Sequence, residues 1–178
     1  MSRTPIRLLV LILASALAAV VLPATAQAAP YCGITWGSLA KHVGSADPGS
    51  SGDELRRARA GRHECYDRLV LDISGTPAVN SYRVEYVKKV TADGSGAVVP
   101  LRGGAFLQIT VGAHDLDRTS ANPSVAGFRT FRQVASAGYF EGLTSVGLGV
   151  RARLPFRVVT LAGPGDATRV AIDVAHAW

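Results

Sequence analysis

Glycoside hydrolysis needs only two carboxylates at the right separation, one to protonate the leaving oxygen and one to attack or to activate water. Glu141, in Phe140-Glu141-Gly142, with Asp166 or Asp67 would supply such a pair. Solvated surface acids give the same pattern, and the sequence leaves both readings open. The histidines are His42, His63, His114 and His176, and His114-Asp115-Leu116-Asp117 gathers three potential metal ligands on one stretch. Its spacing matches no standard metal site, and adjacent polar loop residues are the simpler expectation. Gly147-Leu148-Gly149 reads as a bend or bulge in preference to a phosphate cradle. Neither a Gly-x-Ser-x-Gly elbow nor a His-Glu-x-x-His pair occurs. No catalytic residue, metal or cofactor is therefore assigned.

The two cysteines are Cys32 and Cys65. A disulfide is the default in an oxidising compartment, where a loop of ~34 residues is worth ~3–4 kcal/mol on the chain-entropy model. The alternative makes Cys65 a nucleophile beside His63, but an exported thiol with a second cysteine at hand usually oxidises.

For binding, Arg83, Glu85 and Lys89 form an outward row, and Arg153 and Arg157 are further cations able to hold carboxylates in bidentate fashion. Tyr139 offers a ring for stacking on a sugar. The competing reading is a charged sheet face that keeps the domain soluble.

These side chains must be positioned by strands. Arg68-Leu69-Val70-Leu71-Asp72-Ile73 and Arg169-Val170-Ala171-Ile172-Asp173-Val174 share one period-two pattern, apolar on one face and charged on the other. Paired antiparallel with residue numbers summing to 241, they set Arg68 opposite Asp173 and Asp72 opposite Arg169, worth roughly 0.2–1 kcal/mol per pair. Either these first and last core strands are neighbours, or they lie in different sheets. Further strands are expected at Tyr82 to Val90, Val98 to Leu101 (an edge, because of Pro100), Ala105 to Val111, Phe128 to Ala135, Leu143 to Val150 and Leu154 to Leu161. Asp93-Gly94-Ser95-Gly96 is a turn, Gly112 to Gly127 a polar loop, and Gly163-Pro164-Gly165-Asp166 a hairpin. The expected fold is an all-β antiparallel sandwich of about eight strands with an irregular, disulfide-tethered N-terminal arm. Within that arm, residues 29–61, Tyr31 to Gly37 could anchor an aromatic and 46–52 should form a surface loop. Ser51 and Glu54 have capping-box spacing ahead of Arg56, Arg57, Arg59 and Gly61, so 51–60 is expected either as a short helix or as an extended run into the first strand.

Arg3 and Arg7, the apolar run Leu8 to Leu22 and Ala26-Gln27-Ala28 have the form of an export signal over residues 1–28. Its apolar run is short for a membrane span, which needs about 20 residues, so none is expected after cleavage. Lys and Arg number 19 against 13 acids, and without Arg3 and Arg7 the excess falls to 17 against 13. That mild positive charge suits anionic cell-wall polymers, while no dense basic run with interleaved aromatics points to nucleic acid.

His63-Glu64-Cys65-Tyr66-Asp67-Arg68, Tyr82 to Val87, Asp93-Gly94-Ser95-Gly96, Phe140-Glu141-Gly142, Pro155-Phe156-Arg157-Val158 and Arg169 to His176 together resemble the AMIN-like domain of exported actinobacterial proteins. The resemblance spans about Tyr31 to Ala177, with the domain proper at 62–178, and rests on the ordered set of segments. It implies a β-sandwich that is secreted or wall-associated, non-catalytic, and binds peptidoglycan or an associated wall polymer. The alternative partner is an envelope protein docked on an exposed sheet edge.

Overall fold

The computed structural model describes residues 30–44, 53–75, 81–115 and 121–178. The expected export signal, the 46–52 loop and Asp117 lie outside them. Nine strands follow in chain order: β1 (Lys41–Val43), β2 (Glu54–Arg62), β3 (Tyr66–Ser74), β4 (Tyr82–Val87), β5 (Ala105–Val111), β6 (Phe131–Phe140), β7 (Leu143–Val150), β8 (Phe156–Ala162) and β9 (Thr168–Ala175). They form two antiparallel sheets, ordered β1-β4-β5-β7-β6 and β2-β3-β9-β8. No helix occurs among the described residues. The architecture is the expected antiparallel sandwich.

Alternation explains the layering. Along β3, Leu69, Leu71 and Ile73 are buried, and from β9 Val170, Ile172 and Val174 join them against Leu107, Ile109, Val146 and Leu148 of the other sheet. β3 and β9 pair in the register that sums to 241, with Arg68 opposite Asp173, Leu69 opposite Ile172 and Asp72 opposite Arg169. One detail differs from expectation. The Asp72 carboxylate takes its hydrogen bonds from Arg57 and Arg59, while Arg169 donates through Nη2 to the Ala162 carbonyl.

The stretch with helix-cap signals is β2, not a helix. Leu55 to Arg62 alternates apolar with basic, and Leu55, Ala58 and Ala60 pack on the core while Arg57 and Arg59 face out. Pairing with β3 runs the length of the strand, broken by one bulge at Arg56. A nine-residue helix is marginal alone, so long-range pairing outweighs the local signals. Val98 to Leu101 is not a strand either: it makes one bridge, Thr91 to Val98, beyond the Asp93-Gly94-Ser95-Gly96 turn.

The arm is a strap across one open side of the sandwich. Cys32 and Cys65 are joined, fixing its start to the β2–β3 turn. Trp36 is buried and donates through Nε1 to the Tyr31 carbonyl. Gly37 then pairs with Phe156 of β8, and β1 pairs with β4 of the opposite sheet. Tyr86 of β4 holds the same side closed, its hydroxyl donating to the Leu154 carbonyl at 2.6 Å and accepting from the Leu154 amide at 3.0 Å. Across the molecule, His114 exchanges main-chain hydrogen bonds with Asp53 and Leu55. Asp67 accepts from the amides of Thr130 and Phe131 at the start of β6 and faces His176 Nε2 at 3.2 Å.

Gly147 and Gly149 lie in regular register within β7, and the bulges fall on β6 instead. The glycines admit the segment before β5, which crosses this outer face. A Cβ on Gly149 would stand 2.0 Å from the Arg102 carbonyl oxygen, and one on Gly147 would stand 2.7 Å from Leu101 Cδ1.

Three outcomes follow. Gly149→Ala should destabilise by about 3 kcal/mol in denaturant unfolding, because backbone must move. Cys65→Ser should lower stability by ~3 kcal/mol. Burial pushes the Tyr86 phenol up to about 12, against the opposing pull of the Leu154 hydrogen bond and the Arg153 charge. Unfolded tyrosine ionises near its ordinary 10.0, so the unfolded chain loses that proton first and stability falls as pH rises from there through about 12. An alkaline unfolding series in Tyr86→Phe should lack that contribution.

Candidate functional site

The outer face of the β2-β3-β9-β8 sheet gathers charge. Strand register places Arg57, Arg59, Arg68, Arg157 and Arg169 on it with only Asp72 and Asp173 between them. Arg56, at the bulge, pairs with Glu54 at 2.8 Å and adds no net charge. Three positive charges are thus in excess.

Two aspartates organise these arginines. Asp173 has no solvent exposure and receives a two-point fork from Arg68 (Nε to Oδ1, 2.5 Å; Nη2 to Oδ2, 2.8 Å) and a third bond from Arg157 Nε at 2.8 Å. Forked guanidinium–carboxylate contacts fix orientation as well as charge. Asp72 does the same for Arg59, at 2.6 and 2.8 Å, and for Arg57 at 2.8 Å. Burial alone would raise the Asp72 carboxyl, but the hydrogen bonds from Arg59 and Arg57, with their charges, hold it below its usual value.

Aromatic rings border the arginines. The guanidinium of Arg68 lies 5.3 Å from the Tyr66 ring centre, and that of Arg157 lies 5.4 Å from both Tyr66 and Trp36. Trp36 meets Tyr66 edge-on at 5.9 Å, and His63 stacks on Tyr66 at 4.5 Å. The arm's buried tryptophan therefore serves the site through Arg157 and Tyr66.

Of the residues expected from sequence, only Arg157 stands on this face. Arg83 and Glu85 face outward on the other sheet and bind each other, Nε to Oε1 at 2.6 Å and Nη2 to Oε2 at 2.8 Å. The Arg83 hydrogen bond accordingly holds the Glu85 carboxyl below its usual range. Lys89 lies exposed just beyond β4, and Arg153 covers the Tyr86 ring at 4.7 Å. Tyr139 is engaged with His114 Nδ1 at 2.7 Å and with the Gly142 amide at 3.1 Å. These positions do not converge.

The hydrolytic pair of Glu141 with Asp67 is excluded by distance. Asp67, on β3, is bonded to the start of β6 and Glu141 lies beyond the far end of β6, about 30 Å along a strand of that length, and Asp67 is fully buried, accepting main-chain hydrogen bonds. Glu141 and Asp166 are exposed turn residues. Among the described residues, no three His, Cys, Asp or Glu side chains lie close enough to hold a metal. No helix there is long and apolar enough to cross a membrane.

Sequence reasoning missed Arg57 and Arg59 by giving them to a helix terminus. The alternation Leu55, Arg57, Ala58, Arg59, Ala60 carried the strand signal once the bulge at Arg56 is allowed for. Tyr66 and Trp36 carried no such signal, since their juxtaposition depends on the strap.

What these features define is a disulfide-tethered antiparallel β-sandwich module with one cationic, aromatic-edged face. The family model of the AMIN-like domain matches residues 53–176, and the chain belongs to that family. No curated protein and no solved structure matches it. AMIN-like domains are generally non-catalytic binding modules related to the cell envelope, and the Cys32–Cys65 disulfide accords with a place outside the cytoplasm.

Asp173→Asn, which leaves two guanidiniums without their shared charge, should cost about 3 kcal/mol in chemical denaturation. Because the Asp72 carboxyl titrates lower in the folded chain than its ordinary 3.8, its contribution is present above that value and is lost as pH falls through the lower folded value. Asp72→Asn should flatten the acid side of the stability profile.

Proposed function

We propose that this chain is a secreted, non-catalytic module that binds peptidoglycan, or an anionic polymer attached to it, through the outer face of the β2-β3-β9-β8 sheet. The observation that carries this reading is the ordered arginine array around Asp72 and Asp173. Guanidinium groups fixed by one carboxylate keep their remaining N–H donors in set positions, and the carboxylates of peptide stems match that fork geometry. Tyr66, with His63 stacked on it and two guanidiniums beside it, holds those cations in place at the edge of the face. The expected export signal, if cleaved, delivers the chain to the compartment where both the disulfide and the ligand exist.

Co-sedimentation with purified sacculi tests the proposal. The wild-type chain should pellet at low salt and release as salt rises, since exposed charge pairs are screened over about 10 Å at 0.1 M. Arg59→Gln with Arg157→Gln should weaken retention by about tenfold, the effect of losing ~1.4 kcal/mol of charged hydrogen bonding. Arg83→Gln, on the opposite sheet, should leave it unchanged. A wild-type chain that stays in the supernatant at moderate salt would overturn the reading.

A further inference from the structure

A second site lies on the other sheet, away from the arginine array. The start of β6, the 123–128 segment and Arg102 enclose an open cleft of about 410 Å³. Its floor is apolar, formed by Val125, Phe128 and Phe131, the two phenyl rings stacked at 5.7 Å. Its polar wall is made of donors.

Arg132 is anchored there by one nitrogen. Its Nη1 donates to the carbonyls of Phe128, Arg129 and Phe131, at 3.3, 3.3 and 2.9 Å. That leaves Nε and Nη2 outside these hydrogen bonds. Gln133 turns its amide oxygen to the Arg102 main-chain amide at 3.0 Å and to Arg102 Nε at 3.4 Å. The oxygen is thereby occupied, and the Gln133 side-chain NH₂ and the outer Arg102 nitrogens remain as donors. No carboxylate lines the cleft among the described residues. Two guanidiniums beside an amide donor, with no acid among the lining residues and apolar side chains beneath, match the chemistry of an anion bearing an apolar group.

We infer that this cleft binds a small oxyanion, a carboxylate or phosphate whose apolar part rests on Phe128 and Val125. Arg102 and Arg132 hold the charged end. The site is separate from the proposed polymer-binding face and uses none of its arginines. A free small molecule and the end of a wall polymer present the same oxyanion chemistry.

Calorimetric titration of the full chain with N-acetylalanine, N-acetylalanine amide and inorganic phosphate tests this. The carboxylate should bind, and the uncharged amide should bind at least about tenfold more weakly, the effect of losing a charged hydrogen bond. Arg102 is exposed and its side chain hydrogen-bonds Gln133 through Nε alone, so Arg102→Ala should cut affinity about tenfold while the unfolding temperature stays unchanged. Arg102→Lys should recover part of the loss. The Arg59→Gln, Arg157→Gln variant should titrate like wild type, which separates this site from the polymer-binding face. Displacement of the probe by soluble wall fragments assigns the oxyanion to the polymer, and retention of the probe assigns it to a free molecule. No heat from either the carboxylate or phosphate, equal binding of the amide, or undiminished binding by Arg102→Ala would overturn the inference.

Discussion

A carboxylate buried without solvent must be neutralised where it stands, because an unpaired charge in that position costs several kcal/mol. Asp173 is such a group, at the centre of the four-stranded sheet on β9. Its cations come from the strand on each side, Arg68 from β3 and Arg157 from β8. That requirement holds β3, β9 and β8 in one order and register. It also brings both guanidiniums beside Tyr66, and one beside Trp36, which the disulfide-tethered strap delivers. Sheet register, strap and cationic face are thus linked through a single side chain.

The two outer faces are consequently unlike. On the five-stranded sheet Arg83 and Glu85 neutralise each other, Thr110 and Ser145 join hydroxyls, and Ser145 donates to Asp93. The segment running past Leu101 and Arg102 covers the β7 glycines. Apart from the cleft at Arg102 and Arg132, much of that surface is satisfied by its own chain. The opposite face has more arginines than acids to pair them, and an array of that kind attracts polyanions.

Much of this architecture was legible in the residues. The β3–β9 register was readable because alternation and complementary charge agreed: a one-residue slip would have buried Arg68 and exposed Leu69. The disulfide was readable from the cysteine count. What local patterns concealed was the work of distant partners. Ser51, Glu54 and the arginines after them resemble a helix because capping and dipole rules are local, whereas β2 exists through its pairing with β3. Gly147 and Gly149 looked like a bend because the Arg102 carbonyl above them lies far off in sequence. The expected binding residues were scattered for the same reason: Arg83 was read as part of an outward binding row, yet Glu85, two positions on, claims it. Arg157 belonged to the site through Asp173, a residue assigned only to strand pairing.

The pairing of β3 with β9 also constrains when the molecule can be completed. Arg68 and Asp173 stand 105 positions apart, so β3, although it pairs on one side with β2 beside it in sequence, keeps an unpaired edge until β9 arrives. Closing that layer is accordingly a long-range step, slow beside formation of the β2–β3 hairpin. Until that step occurs β3 presents an open edge able to pair with another chain, which makes β9 the strand that shields the sheet from aggregation.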